Sequence, residues 1–367
     1  MKRLVPEWIE EIPPYVPGKS LEELQRELGI RESIKLASNE NPLGPSPLAI
    51  RKIKEYLGNL NRYPDGDCKL LKEELSSRLG ISKEEIIIGN GSNEIIELIM
   101  RTFLRPHQAV IIPEPGFLMY EKISLSMGAK IKKTPLKEGF TIDLDSILNL
   151  IDSDTKVIFL NNPHNPTGSA IKFDTLAEFI EQIPQEDIIV VIDEAYIEFV
   201  DDPEIRTAIE LLKKFTNLIV VRTFSKLYGL AGLRVGYGIG ASNLIHFMNR
   251  VRQPFNVNTL GQIAATAALK DRDFIDAILR LVSKGKEYIY SELKRLRLNY
   301  IPSHTNFILI ETPLDAKTLY TQMLKEGVII RPMDGFGLPR HIRVNVGLME
   351  ENRRFIKVLE KSLREQE

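Results

Sequence analysis

One cysteine, Cys68, stands in a chain of 367 residues. This excludes a disulfide framework and a cysteine-built zinc cluster within one chain. The five histidines show no ligand spacing and read as structural or surface residues. An excess of either charge is also missing. Lysine and arginine number 49 against 50 acidic residues, so composition offers no polybasic surface for nucleic acid. Long hydrophobic runs are absent, and no stretch is apolar enough to span a bilayer. The opening MKRLVPEWIEEIPPY is broken by Glu7, Glu10 and Glu11 and has no apolar core of signal-peptide length. Internal repeats and low-complexity segments are lacking as well. The expectation is a cytoplasmic protein that engages neither nucleic acid nor membrane.

What the sequence does contain is a rhythm. EIIIGN (85–90), AVIIP (109–113), KVIFLN (156–161), DIIVVID (187–193), NLIVVRT (217–223) and VGYGIG (235–240) are short β-rich runs, several of them separated by helical stretches. NEIIELIMRTFL (93–104) has helical spacing, with Ser92 or Asn93 as the expected N-cap. Runs that are apolar throughout are buried on both faces, which predicts an α/β fold with a mostly parallel sheet covered by helices. Beyond Pro254 the pattern changes. An apolar stripe predicts a helix from about Arg272 to Leu296, and NFILIE (306–311), a helix near 315–326, VIIRPM (328–333), HIRVNVG (341–347) and a charged final helix follow. These rhythms divide the chain into a large unit over 45–270 and a smaller α+β unit made of 1–44 and 271–367.

The strand-like runs end in polar residues. KVIFLN leads into NPHNPTG, IIVVID ends at Asp193 before EAY, and NLIVVRT ends at Thr223 before FSK. Open α/β sheets bind ligands beyond the carboxyl ends of their strands. Asn165, Asp193, Tyr196, Thr223, Ser225 and Lys226 would meet in one such crevice. Each alone is an ordinary turn or cap residue; their joint placement at successive strand ends is the signal. In RTFSKLYGLAGLRVGY (222–237) a desolvated Lys226 would lose part of its preference for the charged form and could attack an aldehyde to give a Schiff base. Arg234, Ser225 and Thr223 are donors of the kind that hold a phosphate. The start of the 92–104 helix, approached over GNGS (89–92), would add a second anion cradle. Asp193 could keep a heterocyclic nitrogen protonated. Lysine, phosphate cup and carboxylate together describe a pyridoxal 5'-phosphate site. The glycines at 232, 236, 238 and 240 follow the lysine turn rather than a first strand, so they read as close packing and not as a nicotinamide site.

NNPHNPTG, DEAYIEF and RTFSKLYGLAGLRVGY also resemble the fold-type I aminotransferases. PPYVPGK, ASNENPLGPSP, NRYPDG, PGFLMY, VRQPFNVN, PSHTNFIL and RVNVG are similar to the histidinol-phosphate aminotransferase branch, and the similarity runs nearly end to end. The resemblance implies that Lys226 is the Schiff-base lysine and that Asp193 partners the pyridine nitrogen. It implies that Asn165 and Tyr196 donate to the ring hydroxyl, and that Ser92, Asn93, Thr223, Ser225 and Arg234 form the phosphate cup. Phe117 would lie against the cofactor face. Tyr63 would reach the phosphate from the other subunit of a homodimer. Tyr15, Asn165, Arg331 and Arg343 would contact substrate. His164 departs from the branch, which often has asparagine there, and a small effect is expected. The implied reaction is amino transfer between L-histidinol phosphate and 2-oxoglutarate, giving imidazole acetol phosphate and glutamate. An aromatic aminotransferase and a threonine-phosphate decarboxylase-like lyase remain the alternatives on this scaffold, and a catalytically silent binding protein is disfavoured by the joint presence of Lys226, Asp193 and Arg234.

Overall fold

The computed structural model describes residues 4–14, 26 and 32–365. Its central sheet contains β2 (Ile86–Gly89), β3 (Ala109–Glu114), β4 (Lys130–Pro135), β5 (Thr155–Asn161), β6 (Ile189–Asp193), β7 (Leu218–Thr223) and β8 (Gly236–Gly240), following a short β1 (Ile34–Lys35) outside it. The spatial order is β2-β8-β7-β6-β5-β3-β4. All neighbours pair in parallel except β8, which runs against both β2 and β7. The sheet is thus mostly parallel, as the apolar runs require.

Alternation along the strands explains those runs. Ile158, Leu160, Val190, Ile192, Leu218 and Val220 join one buried cluster, and Val157, Phe159, Ile189, Val191, Ile219 and Val221 join another. Successive side chains point to opposite faces, so each strand feeds both layers and has no polar side to show. The alternation continues into the polar ends. Asp193 and Thr223 extend the face of Val191 and Val221, while Arg222 extends the face of Val220.

On that second face Arg222 donates from Nε and Nη2 to Glu194 Oε2 at 2.9 and 2.7 Å. Thr207 Oγ1 donates to the same oxygen at 2.8 Å, and the Ala208 backbone N–H donates to Oε1. Asp193 and Glu194, adjacent in sequence, therefore serve opposite sides of the sheet.

The smaller unit carries β9 (Phe307–Glu311), β10 (Val328–Ile329), β11 (Arg331–Pro332) and β12 (His341–Asn345). The antiparallel order is β11-β12-β9, and β10 pairs instead with β1 in parallel. The run 328–333 is thus split between two sheets. Pro332 cannot donate to a ladder, which confines its segment to an edge. The predicted long helix spans Arg272–Arg295, and Ala316–Lys325 and Met349–Arg364 supply the other two expected in this part.

The assignment of residues 1–44 to the smaller unit needs one correction. Ile34–Lys35 does pair with Val328–Ile329. The short helix Glu7–Glu10 packs instead on the Leu118–Ser126 helix of the large unit. Trp8 meets His107 edge-on at 6.3 Å and lies over Gly128, so its large ring covers apolar surface of the large unit.

Removing one partner of a buried ion pair leaves the other charged and desolvated, which typically costs about 3–5 kcal/mol. Glu194→Ala is expected to lose stability on that scale in denaturant unfolding. Glu204→Ala, which breaks the exposed pair with Lys172, should change the midpoint little.

Candidate active site

At the carboxyl end of β6, Asp193 is 4% exposed. Its Oδ1 accepts from the Ala195 backbone N–H at 3.0 Å, and its Oδ2 accepts from the Tyr120 hydroxyl at 2.8 Å. Burial pushes its carboxyl up to about 6, against the lowering effect of those two hydrogen bonds. Tyr120 lies flat on Phe159, with centroids 4.7 Å apart and planes 5° apart, and meets the edge of Phe117 at 5.3 Å. Tyr120 was visible in the sequence only as the end of PGFLMY. The signal for it is its place one helical turn after Phe117.

Lys226 follows β7. Its Nζ donates to the Ser38 carbonyl at 3.1 Å and stands 5.9 Å from the Tyr196 ring centroid. Burial lowers its ammonium to about 8, helped by the positive charges of Arg343 and Arg234 and opposed by Glu40 and Asp193. Tyr196 is buried, and its hydroxyl oxygen accepts from Asn39 Nδ2 at 2.8 Å.

Asn165 and Arg343 join the two units. Arg343 Nη1 donates to Asn165 Oδ1 at 2.6 Å, Nη2 donates to the Ala37 carbonyl at 3.1 Å, and the guanidinium lies 5.1 Å from the Phe307 ring centroid. Arg331 is the cross-strand neighbour of Arg343, with its guanidinium 5.7 Å from the Phe336 ring.

The cradle has a physical reason for its glycines. Gly236 is registered between Gly89 on one side and Thr223 on the other, which brings the turn after β2 beside the turn after β7. A Cβ on Gly236 would lie 2.4 Å from the Ser92 backbone nitrogen, and one on Gly91 would lie 2.5 Å from Arg234 Nη2. Gly91, at φ 82°, is the N-cap of the helix Ser92–Phe103, and Ser92 and Asn93 are its first two residues. The expected Ser92 or Asn93 cap is thereby corrected. The cap position needs a positive φ and no side chain, and only glycine supplies both cheaply. Thr223 and Ser225 are buried alongside, with Thr223 Oγ1 accepting from the Ser225 N–H at 3.1 Å. Arg234, at φ 56°, donates from Nη1 to the Ala231 carbonyl at 3.1 Å.

Two expected site residues stand apart. Tyr63 is 82% exposed and stacks on Phe255 at 4.8 Å, outside the crevice. Tyr15 lies outside the described residues. His164, beside Asn165, is buried with Nδ1 2.8 Å from Thr167 Oγ1, and burial lowers its imidazole to about 3.

An amine made partly neutral by burial faces a buried carboxylate, a helix N-terminus and a glycine-floored cup lined by Thr223, Ser225 and Arg234. This donor set fits a phosphorylated aldehyde with a heterocyclic ring. The family described as aminotransferase class I and II matches residues 31–359. The chain belongs to the class I and II aminotransferases. It is 44% identical over 357 residues to histidinol-phosphate aminotransferase 1 of Nitrosococcus oceani, covering 97% of this chain and 96% of that one. It is 46% identical over 357 residues to histidinol-phosphate aminotransferase of Caldicellulosiruptor saccharolyticus, covering 97% and 99%. The crystal structure of histidinol-phosphate aminotransferase from Sinorhizobium meliloti in complex with pyridoxal-5'-phosphate superposes with a TM-score of 0.90 at 26% identity, covering 100% and 99%. The aminotransferase fold is thus the α/β architecture anticipated from the strand runs.

The depressed Lys226 pKa gives a pH test. Only the neutral amine acylates, so labelling of Lys226 in cofactor-free enzyme should rise with pH around a midpoint near 8 and level off above it. Peptide mass spectrometry against reagent exposure reads the midpoint. A midpoint near the ordinary 10.5 would contradict the desolvated, cation-flanked setting described above.

Proposed function

We propose that the chain uses pyridoxal 5'-phosphate to transfer an amino group between L-histidinol phosphate and 2-oxoglutarate. The products are imidazole acetol phosphate and L-glutamate, in L-histidine biosynthesis. The observation that carries this reading is the end-to-end similarity, at 44% and 46% identity, to relatives bearing that name.

The cofactor supplies, when bound, an electron-withdrawing ring that accepts the electron pair released at the substrate carbon. The protein does the rest. Lys226 Nζ would anchor the cofactor, and once displaced by the substrate amine it would take the substrate α-proton and deliver it to the carbon that was the cofactor's aldehyde. Asp193, fixed at both oxygens by Tyr120 and Ala195, holds negative charge at the ring nitrogen. Asn165 Oδ1 is occupied by Arg343, which leaves its amide N–H groups to donate to the ring hydroxyl. The Ser92–Phe103 N-terminus, Thr223, Ser225 and Arg234 hold the phosphate. Arg343, with Arg331 and Tyr15, takes the substrate anion. A planar guanidinium can grip the carboxylate of glutamate or the phosphate of histidinol phosphate in two-point fashion.

A panel of half-reactions tests the assignment. Purified enzyme is mixed separately with histidinol phosphate, phenylalanine, aspartate and threonine phosphate. Rapid conversion of the cofactor band by histidinol phosphate is expected. Faster conversion by phenylalanine would make it an aromatic aminotransferase, and carbon dioxide release without keto-acid consumption would make it a lyase.

The working unit is proposed to be a homodimer in the cytoplasm. An aromatic stack of Tyr63 on Phe255, with Leu57, Leu60 and Leu70 also exposed, is apolar surface suited to a second copy of the chain. Tyr63→Phe and Lys226→Ala protomers, each impaired alone, should regain activity when allowed to exchange subunits. Each mixed dimer then holds one native site, and absence of recovery would place Tyr63 in its own protomer's site.

A further inference from the structure

The segment ASN at 37–39 belongs to a motif that the assigned roles leave unused, yet it touches most of the crevice. Arg343 donates to the Ala37 carbonyl and Lys226 to the Ser38 carbonyl, each at 3.1 Å. Asn39 is 2% exposed and left-handed at φ 56°, a conformation asparagine tolerates better than most residues. Its backbone is gripped from the smaller unit on both sides. The Asn39 N–H donates to Asn345 Oδ1 at 3.2 Å, and Asn306 Nδ2 donates to the Asn39 carbonyl at 3.1 Å. Its side chain reaches the other way, with Nδ2 donating to the Tyr196 hydroxyl oxygen at 2.8 Å.

That last bond has a direction. An amide N–H occupies a lone pair on Tyr196 Oη, so the phenolic proton is not spent on Asn39 and is available to another acceptor. Asn345 lies two residues beyond Arg343 on β12, so both side chains project from one face of that strand. The strand that carries the substrate arginine also fixes the backbone of the residue that orients Tyr196.

We propose that Asn39 is a positioning residue that turns the Tyr196 proton toward the cofactor's ring hydroxyl, with the smaller unit holding it in place. The inference rests on the pyridoxal phosphate reading above. Asn39 touches no reacting atom in this scheme; it acts through Tyr196. The charged groups around Tyr196 are Arg343, Asp193 and Lys226, and none of them is altered by the substitutions below.

Asn39→Asp is the informative variant. It keeps size and the tolerance for a left-handed backbone but replaces the donor with acceptors, so the Tyr196 proton is drawn to the introduced carboxylate. The ring hydroxyl oxygen then loses a donor and becomes more basic, and the neighbouring imine nitrogen holds its proton more tightly. The readout is the pH midpoint of the visible band of resting, substrate-free holoenzyme. Asn39→Asp should raise it by roughly one to two pH units, the worth of one hydrogen bond to a charged oxygen. Tyr196→Phe should raise it similarly, and the double variant should add little to Tyr196→Phe alone. Equal shifts by Asn39→Asp with and without Tyr196 would mean that the new charge acts at a distance, and the proposal fails. An unchanged midpoint also overturns it, because it would mean that Tyr196 donates to Asn39 instead. A wild-type protein that binds no pyridoxal phosphate and shows no visible band would overturn the cofactor reading itself, an outcome distinct from either.

Discussion

Two neighbouring strands, β6 and β7, end in polar residues that face opposite sides of one sheet, and a buried ion pair on one side holds the geometry of the other. Arg222 and Glu194 lock the strand ends together beneath the sheet. Above it, Asp193 and Thr223 are left in fixed places one strand apart. A buried pair of this kind contributes little net stability compared with apolar packing, but it is costly to break. Its value here is positional. It adds a side-chain tie to the strand pairing that already places the Asp193 carboxylate and the Thr223 hydroxyl at the ends of β6 and β7.

The chemistry draws on the same desolvation that makes the core. The positive charges of Arg343 and Arg234 lower the Lys226 ammonium across the crevice, while Glu40 and Asp193 oppose them. Burial disfavours both the ammonium of Lys226 and the carboxylate of Asp193, moving their pKa values toward each other. Lys226 is thereby brought nearer to neutral pH, where a base works best, whereas for Asp193 the shift opposes the anion that a ring-nitrogen partner must be. Tyr120 limits how far Asp193 moves by donating to its Oδ2.

The smaller unit completes the site instead of merely flanking it. Arg343 and Asn345 reach from β12 to Asn165, Ala37 and Asn39. Residues 37–39 therefore act as a shared rail to which the lysine, the arginine and the tyrosine are all tied. The split of 328–333 into two short strands belongs to the same arrangement, since β10 pairs with the strand that precedes the rail and β11 sets Arg331 beside Arg343.

Local pattern carried the parallel sheet, because strands buried on both faces must be apolar throughout, and it carried the polar strand ends, because nothing else interrupts those runs. Asp193, Thr223 and Lys226 were legible for that reason. The N-cap was misread because serine and asparagine are good caps in general, whereas Gly91 is required by Arg234 and by a positive φ that no spacing reveals. Tyr120 and Asn39 were hidden within motifs because their roles lie in partners 73 and 157 residues away. Trp8 escaped for the same reason, its contacts lying on the large unit. Periodicity and composition are properties of neighbours along the chain, and they determined the elements and the residue types available for chemistry. Which hydroxyl orients which carboxylate, and which amide orients which phenol, depends on contacts between distant segments, and those only the folded chain decided.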